Sequence, residues 1–120
     1  MNKHKQDHLT APIDRISDWP TLFEQVRKNP LIFTGEKSAR LLQYLLIGIH
    51  IAESIHHIPS DQLMSGFDWN QFEEWVRSRN NPENLNVSSF MLASMNSENE
   101  EAAFDKWMEW YDIFREDQNA

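Results

Sequence analysis

"SARLLQYLLIGIHIAESIHHI", Ser38 to Ile58, is the longest periodic stretch of the chain. Leu41, Leu42, Leu45, Leu46, Ile49, Ala52 and Ile55 recur at the three- and four-residue spacing of a helix. Tyr44, Ile47 and Ile51 widen that stripe, which predicts a central helix contacted on several sides. Pro59 stops it, having no backbone N–H to continue the ladder. Gly48 within it costs about 1 kcal/mol relative to alanine, and close packing of a neighbouring helix is the expected reason for its presence.

Toward the N-terminus, "LIFTG" (31–35) reads as a short connector or a single extended turn. Before it, Pro20 suits the first turn of a helix, where a missing N–H does no harm. Leu22, Phe23 and Val26 give that helix one apolar face, and Asn29-Pro30 ends it, because a residue before proline avoids the α region. Residues 1–17 are polar and without period, and are expected to form a weakly ordered arm. Toward the C-terminus, Asp68 with Gln71 forms a capping arrangement before Trp69, Phe72 and Val76. "RNNPENLN" (79–86) is a loop by its asparagine and proline content. Ser88 or Ser89 caps a brief helix through Phe90, Met91 and Met95. Ser97 followed by Glu100 makes a capping-box pattern that opens a last helix running to about Arg115. The whole predicts an all-α, single-domain bundle of about five helices over residues 18–117, built around residues 38–58.

The 120 residues suit one domain, long enough to bury about two-thirds of the unfolded surface. No segment approaches the roughly 18 apolar residues of a membrane span, and "MNKHKQDHL" lacks the apolar core of a secretory signal. With no cysteine, disulfides and thiolate metal sites are excluded, and a cytoplasmic location fits. The formal net charge of -8 disfavours nucleic acid and anionic lipid and favours a basic partner. Moderate acidity also serves solubility, so charge alone does not decide.

"FTGEKS" (33–38) has the look of the end of a phosphate-binding loop, and the chemistry denies it. Such a loop needs lysine directly after its second glycine and another glycine five residues upstream. Glu36 intervenes between Gly35 and Lys37, and Pro30 holds the upstream place. Gly35 is expected to turn the chain and Ser38 or a neighbour to start a helix. The same region carries a different resemblance. "NPLIFTGEKSARLLQYLLIG" resembles the opening of a group of small bacterial proteins, many of them immunity proteins of polymorphic-toxin and contact-dependent growth inhibition systems. Their pattern runs Arg-Pro-Gly-Met-Tyr, then a glycine, a serine three residues on, and a helix of the type L-x-x-[FY]-L-x-G. Pro30, Gly35, Ser38, Leu41, Tyr44, Leu45 and Gly48 match it, while Asn29, Leu31, Ile32 and Phe33 depart. "FDWNQFEEWVRSR" is similar to their F-x-x-W-[VL] helix and "EEAAFDKWMEWYDIFRE" to their terminal A-[FL]-D-x-[FW]-x-E-[LW] helix. The resemblance spans about residues 27–115 and implies an all-α fold that binds a toxin domain. It assigns no functional residue.

Three constellations bear on chemistry. On the long helix, His50, Glu53 and His57 fall within about 60° of arc, and Glu53 with His56 makes Glu-x-x-His, half of a carboxylate-bridged di-metal motif. The second helix such a site needs is missing, so no metal or other cofactor is expected. Imidazoles in a last helical turn have a simpler use against the negative helix end. No nucleophile elbow or cysteine nucleophile is present, and the chain is not expected to be an enzyme. On the last helix, Phe104, Trp107, Met108, Tyr111 and Phe114 form the core stripe. Trp110 and Ile113 lie toward its other edge, as the exposed anchors if a partner uses one. Glu98, Glu101, Asp105, Glu109, Asp112 and Glu116 share an arc of about 80°. Like charges at i,i+4 cost an isolated helix roughly 0.2–0.5 kcal/mol per pair, so a one-sign stripe argues for a basic partner as well as for a solvated face.

The sequence therefore points to an acidic immunity protein that occludes a basic toxin domain, expected as a nuclease, through Glu98, Glu101, Asp105, Glu109, Asp112, Glu116 and Trp110. A helical adaptor or regulatory subunit, and a metal-binding bundle using His50, Glu53 and His57, stand as the alternatives.

Overall fold

The computed structural model describes residues 16–119. Of the arm expected over 1–17, residues 1–15 lie outside the described residues. The fold is all-α: six helices and one 3-10 turn, with no strand among the described residues. They are α1 (Trp19–Lys28), α2 (Pro30–Thr34), α3 (Ala39–Ile55), the 3-10 turn (Ser60–Gln62), α4 (Trp69–Asn80), α5 (Ser89–Met95) and α6 (Glu100–Asn119).

Local chemistry sets most boundaries. Asp18 Oδ1 accepts the Thr21 N–H at 2.8 Å to open α1, with Pro20 in the first turn. Ser38 Oγ accepts the Leu41 N–H at 3.2 Å to open α3. Asp68 and Ser88 do the same for α4 and α5 through the N–H groups of Gln71 and Met91. Each satisfies a donor that the first turn of a helix leaves without a partner. "LIFTG" departs from the extended turn expected of it. Pro30 pre-sets the helical φ and the five residues from Pro30 to Thr34 close into α2, which Gly35 ends at φ 79°.

The last helix also starts differently from its capping-box pattern. Asn99 Oδ1 accepts the Ala102 N–H at 2.8 Å and the Asn99 carbonyl accepts that of Ala103. The cap is therefore two residues later than Ser97, whose Oγ is buried without a hydrogen-bond partner among the described residues. The Glu100 carboxylate that would have completed the box is engaged elsewhere, as shown below.

The core is aromatic. Trp107, fully buried on α6, stacks on Phe90 of α5 at 4.7 Å and 9°, and meets Phe23 of α1 and Phe72 of α4 edge-on at 5.3 Å each. Its Nε1–H donates to the buried Ser89 Oγ at 2.9 Å, so the indole dipole is satisfied inside the core. Phe23 and Phe72 in turn edge onto Tyr111 and Phe114. One joint lies outside the helices: the Trp19 N–H donates to the Ser65 carbonyl at 2.8 Å. Gly66 follows at φ 84°, a left-handed conformation that favours glycine, and a Cβ there would crowd Pro20 Cδ at 3.1 Å.

The long helix is placed differently from its expected role. It packs on α2, α5 and α6, yet it buries only Ala39, Leu42 and Leu46, and leaves Tyr44, Ile47, Ile51 and Ile55 exposed. The largest buried face belongs to α6, with seven buried residues. Gly48 has no atom within 4 Å of a notional Cβ, so no neighbouring helix within the fold explains it. An apolar run on all sides fixes that a helix forms and leaves open which arc its neighbours cover.

Candidate functional site

Five of the six acidic residues expected to share a face do so on α6: Glu101, Asp105, Glu109, Asp112 and Glu116, all exposed. Glu98 lies in the bend before the helix, because α6 starts at Glu100. Two of the five carboxylates have internal partners that the sequence did not reveal. Lys37 Nζ stands 2.6 Å from Asp105 Oδ1 and 5.8 Å from the centroid of the Phe104 ring. Arg27 holds Asp112 with two hydrogen bonds, at 2.8 and 3.2 Å, and lies 3.7 Å from Glu24. Burial alone would pull the Arg27 guanidinium down, and the bonds and charge of Asp112, with Glu24, leave it raised above its ordinary value. Arg27 and Lys37 thus line a groove with Phe104, Asp105, Met108, Glu109 and Asp112. These part-exposed pairs are worth about 0.2–1 kcal/mol each, which offsets the like-charge cost of the stripe at two positions. Glu101, Glu109 and Glu116 have no ion-pair partner among the described residues.

Trp110 is not an exposed anchor. It is 8% exposed, because the buried arc of α6 spans about 160° and takes in both edges of the aromatic stripe. Ile113 is exposed at 40%. More prominent apolar groups stand at the other end of the acidic row, where Leu31 and Ile32 of α2 are 71% and 56% exposed. Leu31 shares a shallow recess with Glu36, Lys37 and Glu101. The signal was readable: three large apolar residues, Leu31, Ile32 and Phe33, stand between Pro30 and Gly35, in a segment too short to turn all of them inward, and only Phe33 packs against the core.

The recess is braced by Glu100. Its Oε1 accepts the Arg40 N–H at 2.8 Å and the Ser38 hydroxyl at 3.0 Å, and its Oε2 accepts the Ser94 hydroxyl at 2.6 Å. One carboxylate thus joins the start of α3, the end of α5 and the start of α6. It also complements the positive N-terminal end of α3. Burial alone would raise its pKa, but the bonds from Ser94, Arg40 and Ser38 outweigh this and leave it lowered. A lowered carboxylate contributes stability that is present above the unfolded value of about 4.3 and is lost as pH falls toward the folded value. Glu100→Gln is expected to cost about 2 kcal/mol at neutral pH and to flatten the decline of stability below pH about 4. Urea unfolding of both proteins from pH 7 to 3 checks it. Parallel pH curves would exclude Glu100 as a source of the acid sensitivity.

The His50, Glu53 and His57 group is dispersed. Helix α3 ends at Ile55, and His57 takes φ 51° with its N–H on Ser54 and that of Ile58 on Glu53, a left-handed helix ending. That conformation takes His57 off the helical face that the spacing assumed. Glu53 Oε2 instead accepts the Met64 N–H at 2.8 Å, tying the loop after α3 back to the helix. His50 Nδ1 is 3.9 Å from Glu53 Oε1, and its ring lies 5.2 Å from that of Trp19. Among the described residues no group of three or more His, Asp or Glu side chains is arranged to hold a metal, and no helix is long and apolar enough to cross a membrane.

Comparison with protein-family models, with curated proteins and with solved structures gives no match.

Proposed function

We propose that the chain is a binding protein that captures and occludes a basic protein domain, and that the domain is a bacterial toxin, a nuclease by preference, which it neutralises in the cytoplasm. The observation that carries this reading is the exposed row Glu101, Asp105, Glu109, Asp112 and Glu116. It is only partly compensated from within, and the exposed Leu31 stands beside its first member. Exposed carboxylates attract a basic surface from a distance, and an apolar tip beside them supplies the contact that holds it. A row of exposed carboxylates also suits the surface of a nuclease, whose cations are arranged for phosphate. The resemblance of residues about 27–115 to immunity proteins supports the choice of a toxin over other basic domains.

The test is co-purification with the product of the adjacent gene. The expected result is a complex of equal stoichiometry that abolishes the toxin's activity. A toxin that stays active when saturated with the chain refutes neutralisation. Failure of the two proteins to bind refutes the pairing itself.

A further inference from the structure

The exposed face of α3 has an order that the fold does not use. Tyr44, Gly48, Ile51 and Ile55 are spaced four, three and four residues apart, the spacing of a helix-pairing seam. All four are exposed, with Tyr44 at 58% and Ile55 at 64%, and Ile47 and Ala52 flank them, exposed as well. No charged residue lies on this face between Arg40 and the end of the helix. Glu53, the one carboxylate there, is turned to Met64. In a chain of net charge -8, this is a helical face on which a second copy meets no like charge.

The seam is also complementary to itself. Two copies of α3 laid antiparallel about a two-fold axis midway between Gly48 and Ile51 set each Ile51 over the other copy's Gly48. The same axis sets each Tyr44 against Ile55 and each Ile47 against Ala52. Ile51 and Ile47 therefore meet the small Gly48 and Ala52, Tyr44 meets Ile55 at the ends of the seam, and every pairing recurs about the axis, as an isologous contact requires. Gly48, unexplained within one chain, becomes the hole for a side chain of the second. Closing two such faces removes on the order of 1,000 Å² from water, the size of a weak, reversible interface. We infer that the chain forms an antiparallel homodimer through α3, with Ile51 of each copy seated on Gly48 of the other. The acidic row on α6 is a separate face, so this inference does not rest on the toxin reading.

Sedimentation equilibrium of the full chain over a concentration series tests it, with far-UV circular dichroism to confirm the helix content of each variant. The wild type is expected to reach twice its 14.3 kDa mass at high concentration and to dissociate on dilution. Ile51→Glu, at a site 51% exposed in the single chain, is expected to keep the fold and weaken association about a hundredfold. Gly48→Ile fills the hole and Ile51→Gly removes the knob, so each alone is expected to weaken the dimer. Together they exchange knob and hole on both copies, and the double variant is expected to recover association to within about tenfold of wild type.

A wild type that stays monomeric at millimolar concentration overturns the inference. That includes the case in which Ile51→Glu lowers affinity for a basic domain, which would give the seam to that partner instead. A dimer indifferent to Ile51→Glu overturns it too. So does a double variant weaker than both single ones, because it would show that positions 48 and 51 do not face each other.

Discussion

Trp107→Ala is expected to lower the unfolding free energy by about 4 kcal/mol, a large effect for a single truncation. The indole is fully buried and touches aromatic rings from three other elements: Phe23 on α1, Phe72 on α4 and Phe90 on α5. Removing it opens a cavity that three separate helices would have to shift together to fill. It also leaves the buried Ser89 Oγ without its donor. Domains of this size are stable by only about 5–15 kcal/mol, so the variant is expected to be marginal at 37 °C. Trp107→Phe keeps the stack and loses the Ser89 bond, and is expected to cost about half as much. Guanidinium unfolding of the three proteins separates the contributions. If Trp107→Ala cost less than about 1.5 kcal/mol, the ring would not stand at the centre of the packing.

The second large effect concerns encounter with a basic partner. Glu101→Lys with Glu109→Lys is expected to slow association with the domain the wild type captures by about ten- to a hundredfold at low salt. Dissociation is expected to change far less. These two positions are chosen because Asp105 and Asp112 hold Lys37 and Arg27, so reversing them would disturb the fold as well as the field. The free double variant should be no less stable than wild type, since both sites are exposed and without an internal ion pair among the described residues. The wild-type rate should also fall as ionic strength rises past 0.15 M, where the Debye length is about 8 Å. Stopped-flow kinetics across a salt series reads both effects. A double variant that associates at the wild-type rate in low salt reduces the acidic row to a solvated face.

What the sequence disclosed and what it withheld divide along a physical line. Asp68 was legible and Ser38 and Ser88 nearly so, because a cap acts on a backbone N–H two or three residues away. Gly35 was legible for the same reason, since a left-handed turn is a property of one residue. Glu100 was not. Its place in a capping box was a local expectation, and three donors drawn together by the packing of α3, α5 and α6 competed for it and won. The exposure of Tyr44, Ile47, Ile51 and Ile55 was hidden too, because a helix apolar on all sides does not say which side its neighbours take. For the acidic row, spacing gave the shared face of Glu101, Asp105, Glu109, Asp112 and Glu116 correctly. It gave no hint of Arg27 or Lys37, which arrive from distant parts of the chain. Trp110 shows the limit of reading a stripe's edge: the arc buried in three dimensions is wider than the run of residues that announces it.

Helix α6 comes after every other described helix, and it brings the core with it. While the polypeptide is being made, Phe23, Phe72 and Phe90 have Trp19, Phe67 and Trp69 to pack on, but Trp107, the ring that all three share, arrives only with α6. Its 20 residues take about one to four seconds to add at roughly 5–20 residues per second. Until α6 is made, the nascent chain therefore lacks the helix that carries seven of its buried residues. Interrupting synthesis before Glu100 is expected to leave a polypeptide without the centre of its core, fit for a chaperone or a protease. Folding is thereby tied to completion of the message through this segment, and only ribosomes that read past it release a chain able to close.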